Sequence, residues 1–355
     1  MKILTIIGAR PQFIKAAAVS RIIENYPEIT EITVHTGQHF DKNMSDVFFE
    51  QMNIKKPDYN LNIHSLSHGA MTGRMLEAIE NVIIKEQPEI VMVYGDTNST
   101  IAGSLAAKKL HKKVAHVEAG LRSFNMKMPE EINRILTDRI SDYLFCPTKQ
   151  AVENLKKEGY ENFNVRIEQV GDVMYDAIVY YQKFAQKPNF SLPDKFILAT
   201  VHRAENTDDT ERLKNIFEAL EIISENLPVV LPLHPRTRQK LKQIDFKPQK
   251  TIITEPVGYL QMIYLLNKTQ LVITDSGGLQ KEAYFMKKPC ITLRDETEWV
   301  ELVEHGFNTL TGADKNKILN AVKQMLNKTL DFSIKLYGNA DAAVKIIETL
   351  KQDKF

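Results

Sequence analysis

Four titratable side chains of this 355-residue chain could take part in proton transfer, and all but Glu130 come just after short apolar segments, which is where α/β enzymes place many of their functional groups. They are Asp96, Glu118 and Glu130 in the first half of the chain and His202 in the second. Two carboxylates on opposite sides of a substrate carbon can remove a proton from one face and return it to the other. Asp96 could instead cap a helix, and Glu130 could instead form a surface ion pair with Arg134, four residues later.

A second kind of chemistry is indicated by the segment Thr274-Asp-Ser-Gly-Gly-Leu-Gln-Lys-Glu282, which joins an apolar strand directly to a helix. Free N–H groups at such a helix start bind phosphate or diphosphate, and Glu282 could receive the hydroxyl pair of a ribose. The alternative is a tight turn in which Asp275 or Ser276 only caps the helix. Neither G-x-G-x-x-G nor G-x-x-x-x-G-K-[ST] occurs. The segment therefore predicts a nucleoside diphosphate site without a P-loop.

Basic and polar side chains follow other predicted strands. Arg10 and Lys15 come after a glycine turn and could both face an anion, although a solvated helix face is the alternative. His202-Arg-Ala-Glu-Asn206 indicates a phosphate or leaving-group site. His234 follows the next strand, and both a ligand and a core interpretation of its ring stay open.

The elements that would position these groups alternate between short apolar strands and amphipathic helices. Strands that are apolar on both faces and separated by helices predict parallel sheets covered on each side. The predicted strands form two series, namely Ile3–Ile7, Glu31–Thr36, Ile90–Tyr94, Val114–Val117 and Tyr143–Cys146, then Phe196–Val201, Pro228–Pro232, Thr251–Thr254, Leu271–Thr274 and Pro289–Leu293. We expect two α/β domains, 1–171 and 172–330, with the active site in the cleft between them.

Composition narrows the class of partner. The 46 Lys and Arg residues nearly balance the 45 Asp and Glu residues, and a net charge of +1 gives no general field for nucleic acid or membrane. Cys146 and Cys290 lie in apolar contexts without C-x-x-C spacing, so we expect buried thiols and no metal site. The N-terminal apolar run is shorter than a signal-peptide core. We therefore expect a cytoplasmic protein that acts on a small molecule.

Eight motifs, in order along the chain, carry a resemblance to a known family. They are Gly8-Ala-Arg-Pro11, Gly95-Asp-Thr-Asn-Ser99, His116-Val-Glu-Ala-Gly-Leu-Arg122, Pro129-Glu-Glu-Ile-Asn-Arg134, His202-Arg-Ala-Glu-Asn206, Glu255-Pro-Val-Gly-Tyr259, Thr274-Asp-Ser-Gly-Gly-Leu-Gln280 and Arg294-Asp-Glu-Thr-Glu298. Together they resemble the non-hydrolysing UDP-N-acetylglucosamine 2-epimerases. The resemblance implies a GT-B fold, with two Rossmann-like domains and a last segment, 331–355, that crosses back to the first.

The resemblance also implies a reaction and a set of site residues. UDP-GlcNAc would become UDP-ManNAc by elimination of UDP to 2-acetamidoglucal and re-addition, without a cofactor, in a homodimer that supplies bacterial surface polysaccharide synthesis. Asp96, Glu118, Glu130 and His202 match the catalytic residues of the family. The implied substrate-binding residues are Arg10, Lys15, Arg134, Arg203, Glu205, Asn206, His234, Ser276, Gly277, Gly278 and Glu282. Some bacterial members bind a second UDP-GlcNAc as an allosteric activator, and the matching positions are Gln38, His39 and Arg74.

The chain departs from the commonest family pattern at three places. It has Gln12-Phe13 after Gly-Ala-Arg-Pro, Phe40-Asp41 after Gln38-His39, and Trp299 where the pattern has Arg. These variants resemble the subgroup that acts on UDP-2,3-diacetamido-2,3-dideoxyglucuronate. They leave open which sugar is the substrate and whether the allosteric site is present. Other classes to distinguish are a GT-B glycosyltransferase, a hydrolysing relative that releases free ManNAc, and a non-enzymatic UDP-sugar sensor.

Overall fold

A computed structural model describes residues 1–38, 52 and 54–352. Two compact units are present, one formed by Met1–Val179 with Lys335–Phe355 and the other by Tyr180–Ile334. Each contains a sheet whose recorded strand pairs are all parallel, and each sheet is interleaved with helices in sequence. The predicted α/β class is therefore confirmed.

The first unit is built on seven strands. They are β1 (Lys2–Ile7), β2 (Thr30–His35), β3 (Tyr59–Asn60), β4 (Ile90–Tyr94), β5 (Lys113–Val117), β6 (Tyr143–Cys146) and β7 (Arg166–Gln169). The helices described here are α1 (Arg10–Ile23), α2 (His68–Glu86), α3 (Asn98–Lys109), α4 (Pro129–Ile140), α5 (Lys149–Lys157), α6 (Val173–Tyr181), which reaches past the unit boundary, and, from the end of the chain, α14 (Ala342–Gln352). The strand order is β3-β2-β1-β4-β5-β6-β7.

The second unit repeats the plan with six strands. They are β8 (Ile197–Thr200), β9 (Val229–Pro232), β10 (Ile252–Thr254), β11 (Leu271–Thr274), β12 (Cys290–Thr292) and β13 (Asn308–Leu310). The accompanying helices are α7 (Ala204–Thr207), α8 (Thr210–Ser224), α9 (Pro235–Gln243), α10 (Tyr259–Lys268), α11 (Gly277–Phe285), α12 (Val300–Glu304) and α13 (Lys315–Asn327). The strand order is β10-β9-β8-β11-β12-β13.

All ten predicted strands are present, and three short ones went unpredicted. The missed strands, β3, β7 and β13, each lie at the edge of a sheet. An edge strand can leave one face in solvent, so its sequence lacks the continuous apolar run that identifies a central strand. Strand β7 shows this directly, because Arg-Ile-Glu-Gln contains one apolar residue and none of the four is buried.

Strand order creates one switch point in each sheet, where successive connections run to opposite sides. In the first sheet it lies between β1 and β4, and in the second between β8 and β11. Ligands of open parallel sheets bind at the carboxyl ends of strands beside such a point. The turns after β4, β8 and β11 contain Asp96, His202 and Ser276, and Arg10 begins the helix after the β1 turn.

The end of the chain packs with the first unit, where α14 contacts α1. Its start is capped from α6, because the Asp176 carboxylate accepts hydrogen bonds from Ala342 N at 3.3 Å and Ala343 N at 2.9 Å. Cys146 and Cys290 are both buried and free, as expected. Among the helices described, none is long and apolar enough to span a bilayer.

Candidate active site

The turn after β1 is held against α3 by close packing at Gly8. A Cβ atom on Gly8 would lie 2.0 Å from Ser99 Oγ and 2.2 Å from Thr36 Oγ, so only glycine fits. Arg10 begins α1 directly after this turn, and burial lowers the pKa of its guanidinium. Gln38 also reaches α3, where its Oε1 accepts hydrogen bonds from Ser99 N at 3.1 Å and Ser99 Oγ at 2.8 Å.

Gln12 joins the turns after β1 and β4. Its Oε1 accepts hydrogen bonds from Gly8 N at 2.8 Å and Ala9 N at 2.9 Å, while its Nε2 donates to Tyr94 O at 2.7 Å and to Thr97 Oγ at 3.0 Å. The side chain is 2% exposed, so these bonds form away from water. Sequence reasoning noted Gln12 only as a departure from the family pattern, and its role as a link between two site turns was missed.

Glu118 and Lys15 form a buried ion pair, with side-chain exposures of 8% and 10%. The pair lies beside Gly95, whose added Cβ would be 3.3 Å from Glu118 Oε2 and 3.5 Å from Lys15 Nζ. Glu118 adopts φ +74°, a left-handed conformation that is strained for a residue with a side chain. The predicted carboxylate and the predicted cation are therefore in direct contact, next to the residue that precedes Asp96.

Asp96 pairs with Arg134 of α4, and its side chain is 30% exposed. Arg134 also binds Glu131 at 2.7 Å, and Glu131 in turn accepts the backbone N–H groups of Ser123 and Phe124, each at 2.9 Å. Glu131 is fully buried, and its anchoring role was not predicted. Because Arg134 is held from behind, it presents its other nitrogen to the Asp96 carboxylate.

Two other predicted side chains of this unit lie at more open positions. Glu130 is exposed on the first turn of α4, and Arg74 is exposed on α2. His39 lies outside the residues that the structure describes, as do Phe40 and Asp41.

In the second unit, the Asp275 carboxylate organises the turn after β8. It accepts hydrogen bonds from His202 N at 2.9 Å, Arg203 N at 2.9 Å and Asn206 Nδ2 at 3.3 Å. Asp275 is fully buried, and His202 Nδ1 lies 3.4 Å from its other oxygen. The sequence interpretation placed Asp275 or Ser276 as a helix cap; Ser276 is the cap, while Asp275 connects the two turns beside the switch point.

His202 and His234 lie close together, with ring centroids 6.3 Å apart. His234 caps α9, where its Nδ1 accepts a hydrogen bond from Arg236 N at 3.2 Å, so the ring hydrogen of the neutral form is on Nε2. Partial burial lowers the pKa of His234, and the nearby His202 and Arg236 lower it further. His234 is therefore a neutral donor near pH 7. Glu205 is exposed on α7.

The start of α11 has the structure expected of an anion site. Ser276 Oγ accepts a hydrogen bond from Leu279 N at 3.4 Å, and the first N–H groups of a helix have no partner within the helix. A Cβ on Gly277 would lie 2.7 Å from Glu298 Oε1, whereas one on Gly278 would meet no atom within 4 Å. Glu282 is 8% exposed on the following turn.

Trp299 lies behind this turn. Its Nε1 donates a hydrogen bond to Gly277 O at 3.1 Å, and Lys281 Nζ lies 3.9 Å from the ring centroid. Trp299 is 3% exposed, so the residue that replaces the arginine of the common pattern supports the turn at Ser276–Gly278 from inside the unit. Within the described residues, no group of three or more His, Cys, Asp or Glu side chains could hold a metal ion.

Comparison with known proteins gives a consistent result. The family model for UDP-N-acetylglucosamine 2-epimerase matches residues 21–351. A Pseudomonas aeruginosa protein, UDP-2,3-diacetamido-2,3-dideoxy-D-glucuronate 2-epimerase, is 58% identical, and the alignment covers 99% of each chain.

Two solved structures match along nearly the whole chain. The crystal structure of Methanocaldococcus jannaschii UDP-GlcNAc 2-epimerase in complex with UDP-GlcNAc and UDP has a TM-score of 0.91 at 45% identity, covering 99% of this chain and 100% of that one. The crystal structure of the Neisseria meningitidis enzyme bound to UDP-GlcNAc has a TM-score of 0.89 at 31% identity, with the same coverage. These matches confirm the predicted GT-B fold.

Proposed function

The chain belongs to the UDP-N-acetylglucosamine 2-epimerase family, and from this membership we propose which unit does which part of an epimerase reaction and on which sugar. As a member it is an isomerase, and the predicted family and class of activity are confirmed. We propose below which unit binds UDP and which acts on the sugar, which sugar nucleotide is the substrate, and the oligomeric state.

We propose that the second unit binds UDP. The helix start at Ser276–Gly278 would hold the diphosphate, and the buried Glu282 would receive the ribose hydroxyls. His202, Arg203 and His234 would stabilise negative charge on the departing diphosphate. These groups follow β8, β9 and β11, so one end of the sheet could contact a single ligand.

The first unit would carry out the chemistry at the sugar. Its two buried or half-buried carboxylates, Glu118 and Asp96, lie on neighbouring turns, each paired with a cation. A sugar C2–H has no adjacent carbonyl and is barely acidic, so it can be removed only as the C1–O bond to UDP breaks. One carboxylate would take the proton, UDP would leave to give a glycal, and re-addition with proton delivery to the other face would give the epimer. Glu130 is proposed as a third acid.

For the substrate we propose UDP-2,3-diacetamido-2,3-dideoxyglucuronate. This rests on the 58% identity to the P. aeruginosa enzyme and on the variants Gln12, Phe13 and Trp299. Conversion of UDP-GlcNAc to UDP-ManNAc is the second candidate, favoured by the match to the M. jannaschii enzyme. The purified protein should be assayed with both sugars in heavy water. We expect deuterium at C2 of both epimers and a kcat/KM at least tenfold higher for the uronate, the scale of one charge-assisted hydrogen bond.

The same assay separates the remaining classes. Free sugar would indicate a hydrolase, and UDP release that requires an acceptor would indicate a glycosyltransferase. Equal or higher kcat/KM for UDP-GlcNAc would select the second candidate. Product without deuterium would contradict the elimination mechanism.

We further propose a homodimer in the cytoplasm that makes precursors of a surface polysaccharide. Support for self-association comes from four exposed apolar side chains on and before α4, namely Phe124, Met126, Ile132 and Leu136. Light scattering should give twice the 40.6 kDa chain mass, and Leu136→Glu should give the chain mass alone.

An effector site at Gln38, His39 and Arg74 is also proposed. Gln38 lies against Ser99, at the start of the helix that follows the Asp96 turn, so a ligand there could act on that turn. Activation of uronate turnover by added UDP-GlcNAc, lost in Arg74→Ala, would support it. Hyperbolic kinetics unaffected by UDP-GlcNAc would contradict it.

A further inference from the structure

A buried histidine outside the predicted site contacts the turn that carries Asp96. His116 lies on β5, fully buried, two residues before Glu118. Its Nε2 lies 2.7 Å from Gly95 O, and its Nδ1 lies 2.7 Å from Asp138 Oδ1. A carbonyl oxygen can only accept, and so can an ionised carboxylate, so both ring nitrogens must carry hydrogen.

Asp138 is held as a carboxylate. Burial acts to raise its pKa, but hydrogen bonds and charge from His116 and Arg122 lower it below the usual value. Its second oxygen accepts Gly120 N at 3.1 Å and Arg122 Nη1 at 2.7 Å. Two further ionisable groups that interact with Asp138, Cys146 and Tyr160, have raised pKa values, mainly because they are buried, and are therefore neutral.

Two glycines with left-handed backbone conformations form hydrogen bonds with this pair. Gly95 (φ +63°) directly precedes Asp96, and Gly120 (φ +79°) lies two residues after Glu118. The His116–Asp138 pair binds the carbonyl of the first and the N–H of the second. Asp138 also belongs to α4, the helix that presents Arg134 to Asp96. The His116–Asp138 pair thus connects the turn that carries Asp96, the segment that carries Glu118 and the helix that carries Arg134.

We propose that His116, held as an imidazolium by Asp138, is a positioning residue that fixes the Gly95 carbonyl and thereby aims the Asp96 carboxylate. The effect of His116 on kcat rests on the proposed function, whereas the charge state of its ring does not.

The charge state can be tested on the intact wild-type enzyme labelled with 15N-histidine, with the His116 signals assigned by their absence in His116→Phe. We expect both ring nitrogens to show N–H shifts at pH 7. One nitrogen with the shift of an unprotonated imidazole at this pH would overturn the imidazolium.

The positioning role is tested by comparing two variants. His116→Phe keeps an aromatic ring but cannot donate to Gly95 O, so kcat should fall roughly tenfold to hundredfold, the effect of losing one charge-assisted hydrogen bond. Affinity for UDP should not change, because the proposed UDP site is in the other unit. In Asp138→Asn the amide can donate to Nδ1 while its oxygen still accepts Gly120 N and Arg122, so Nε2 still donates to Gly95 O, now from a neutral ring, and kcat should fall less than in His116→Phe.

Glu158→Gln is the matched control. It removes the carboxylate on the other side of Arg122, 2.7 Å from Nε, without touching His116, and kcat should stay within about threefold. Normal kcat in His116→Phe, or an equal loss in Asp138→Asn, would overturn the positioning role. If His116→Phe also loses UDP binding, Asp138→Asn and the NMR measurement still decide. A wild-type enzyme inactive on every UDP-sugar would instead refute the proposed function.

Discussion

The two groups of turns hold their functional atoms in different ways. In the first unit they are side chains in ion pairs, Glu118 with Lys15 and Asp96 with Arg134, and Arg134 is itself held by Glu131. In the second unit the proposed anion-binding groups include backbone N–H donors at the start of α11, and the neighbouring turn is held by Asp275. A backbone donor neither titrates nor changes rotamer, which suits binding of a constant group such as a diphosphate. A paired carboxylate can exchange a proton, which suits the proposed removal and return of the sugar C2 proton.

The largest effect should follow from removing a carboxylate of the first unit. We expect Glu118→Gln and Asp96→Asn to lower kcat by about a hundredfold or more, the scale of lost acid–base catalysis. Glu118→Gln should also destabilise the protein more, because Lys15 would remain buried without its anion, while Arg134 keeps Glu131. Stopped assays and urea unfolding measure the two quantities.

Calorimetric titration with UDP is the control for these variants. Its affinity should be unchanged if binding and chemistry are divided between the units. A parallel loss of UDP affinity would remove that division, and normal turnover in either variant would remove that residue from the mechanism.

At Asp275 we expect a smaller effect, on UDP binding and on stability. Asp275→Ala leaves His202 N and Arg203 N without an acceptor, which should cost about 2–3 kcal/mol of unfolding free energy and weaken UDP binding roughly tenfold. Asp275→Asn retains one oxygen for these donors and should lose much less. Unchanged UDP affinity in Asp275→Ala would show that this carboxylate does not organise the site.

The sequence predicted the features for which one residue pattern identifies both the fold and the position of the site. Central strands and the turns after them were predicted because a buried parallel strand is a continuous apolar run. The buried groups that hold those turns were not, since Gln12, Asp138 and Asp275 bond to residues distant along the chain, at separations of up to 88, 22 and 73 residues respectively. A polar residue next to an apolar run looks the same whether it is a helix cap, a surface group or a buried anchor. Only the fold brings its partners together.

Asp176, a titrating group outside the candidate site, should make the free energy of unfolding depend on pH, which a backbone group cannot do. Burial raises the pKa of Asp176 from 3.8 to about 6, although Ala343 N and Ala342 N donate to it. The folded state therefore binds this proton more tightly than the unfolded state, so its contribution is full below pH 4 and is lost as the pH rises to about 6, roughly 1–3 kcal/mol in all. Asp176→Asn does not titrate.

Urea unfolding from pH 4 to 7 measures this effect. The variant should gain stability relative to wild type as the pH rises through this window. Glu161→Gln, which replaces an exposed carboxylate of the same unit, is the matched control, and Asp176→Asn should gain more stability than this variant over the same pH range. A constant difference between Asp176→Asn and wild type would contradict the raised pKa.

The smallest effect concerns two adjacent glycines at the proposed diphosphate site. Both lie at the start of α11 with negative φ, so alanine should improve helix propensity at either position by up to about 1 kcal/mol. At Gly278 the new methyl group meets no atom within 4 Å, so thermal stability should be unchanged or slightly higher. At Gly277 it would lie 2.7 Å from Glu298 Oε1, and Arg294 Nη1 binds Oε2 of the same carboxylate at 2.9 Å, so the methyl must displace an ion pair and the melting temperature should fall. Calorimetry of the two variants without ligand compares them directly, and a higher melting temperature for Gly277→Ala than for Gly278→Ala would show that Glu298 moves freely and does not shape the turn.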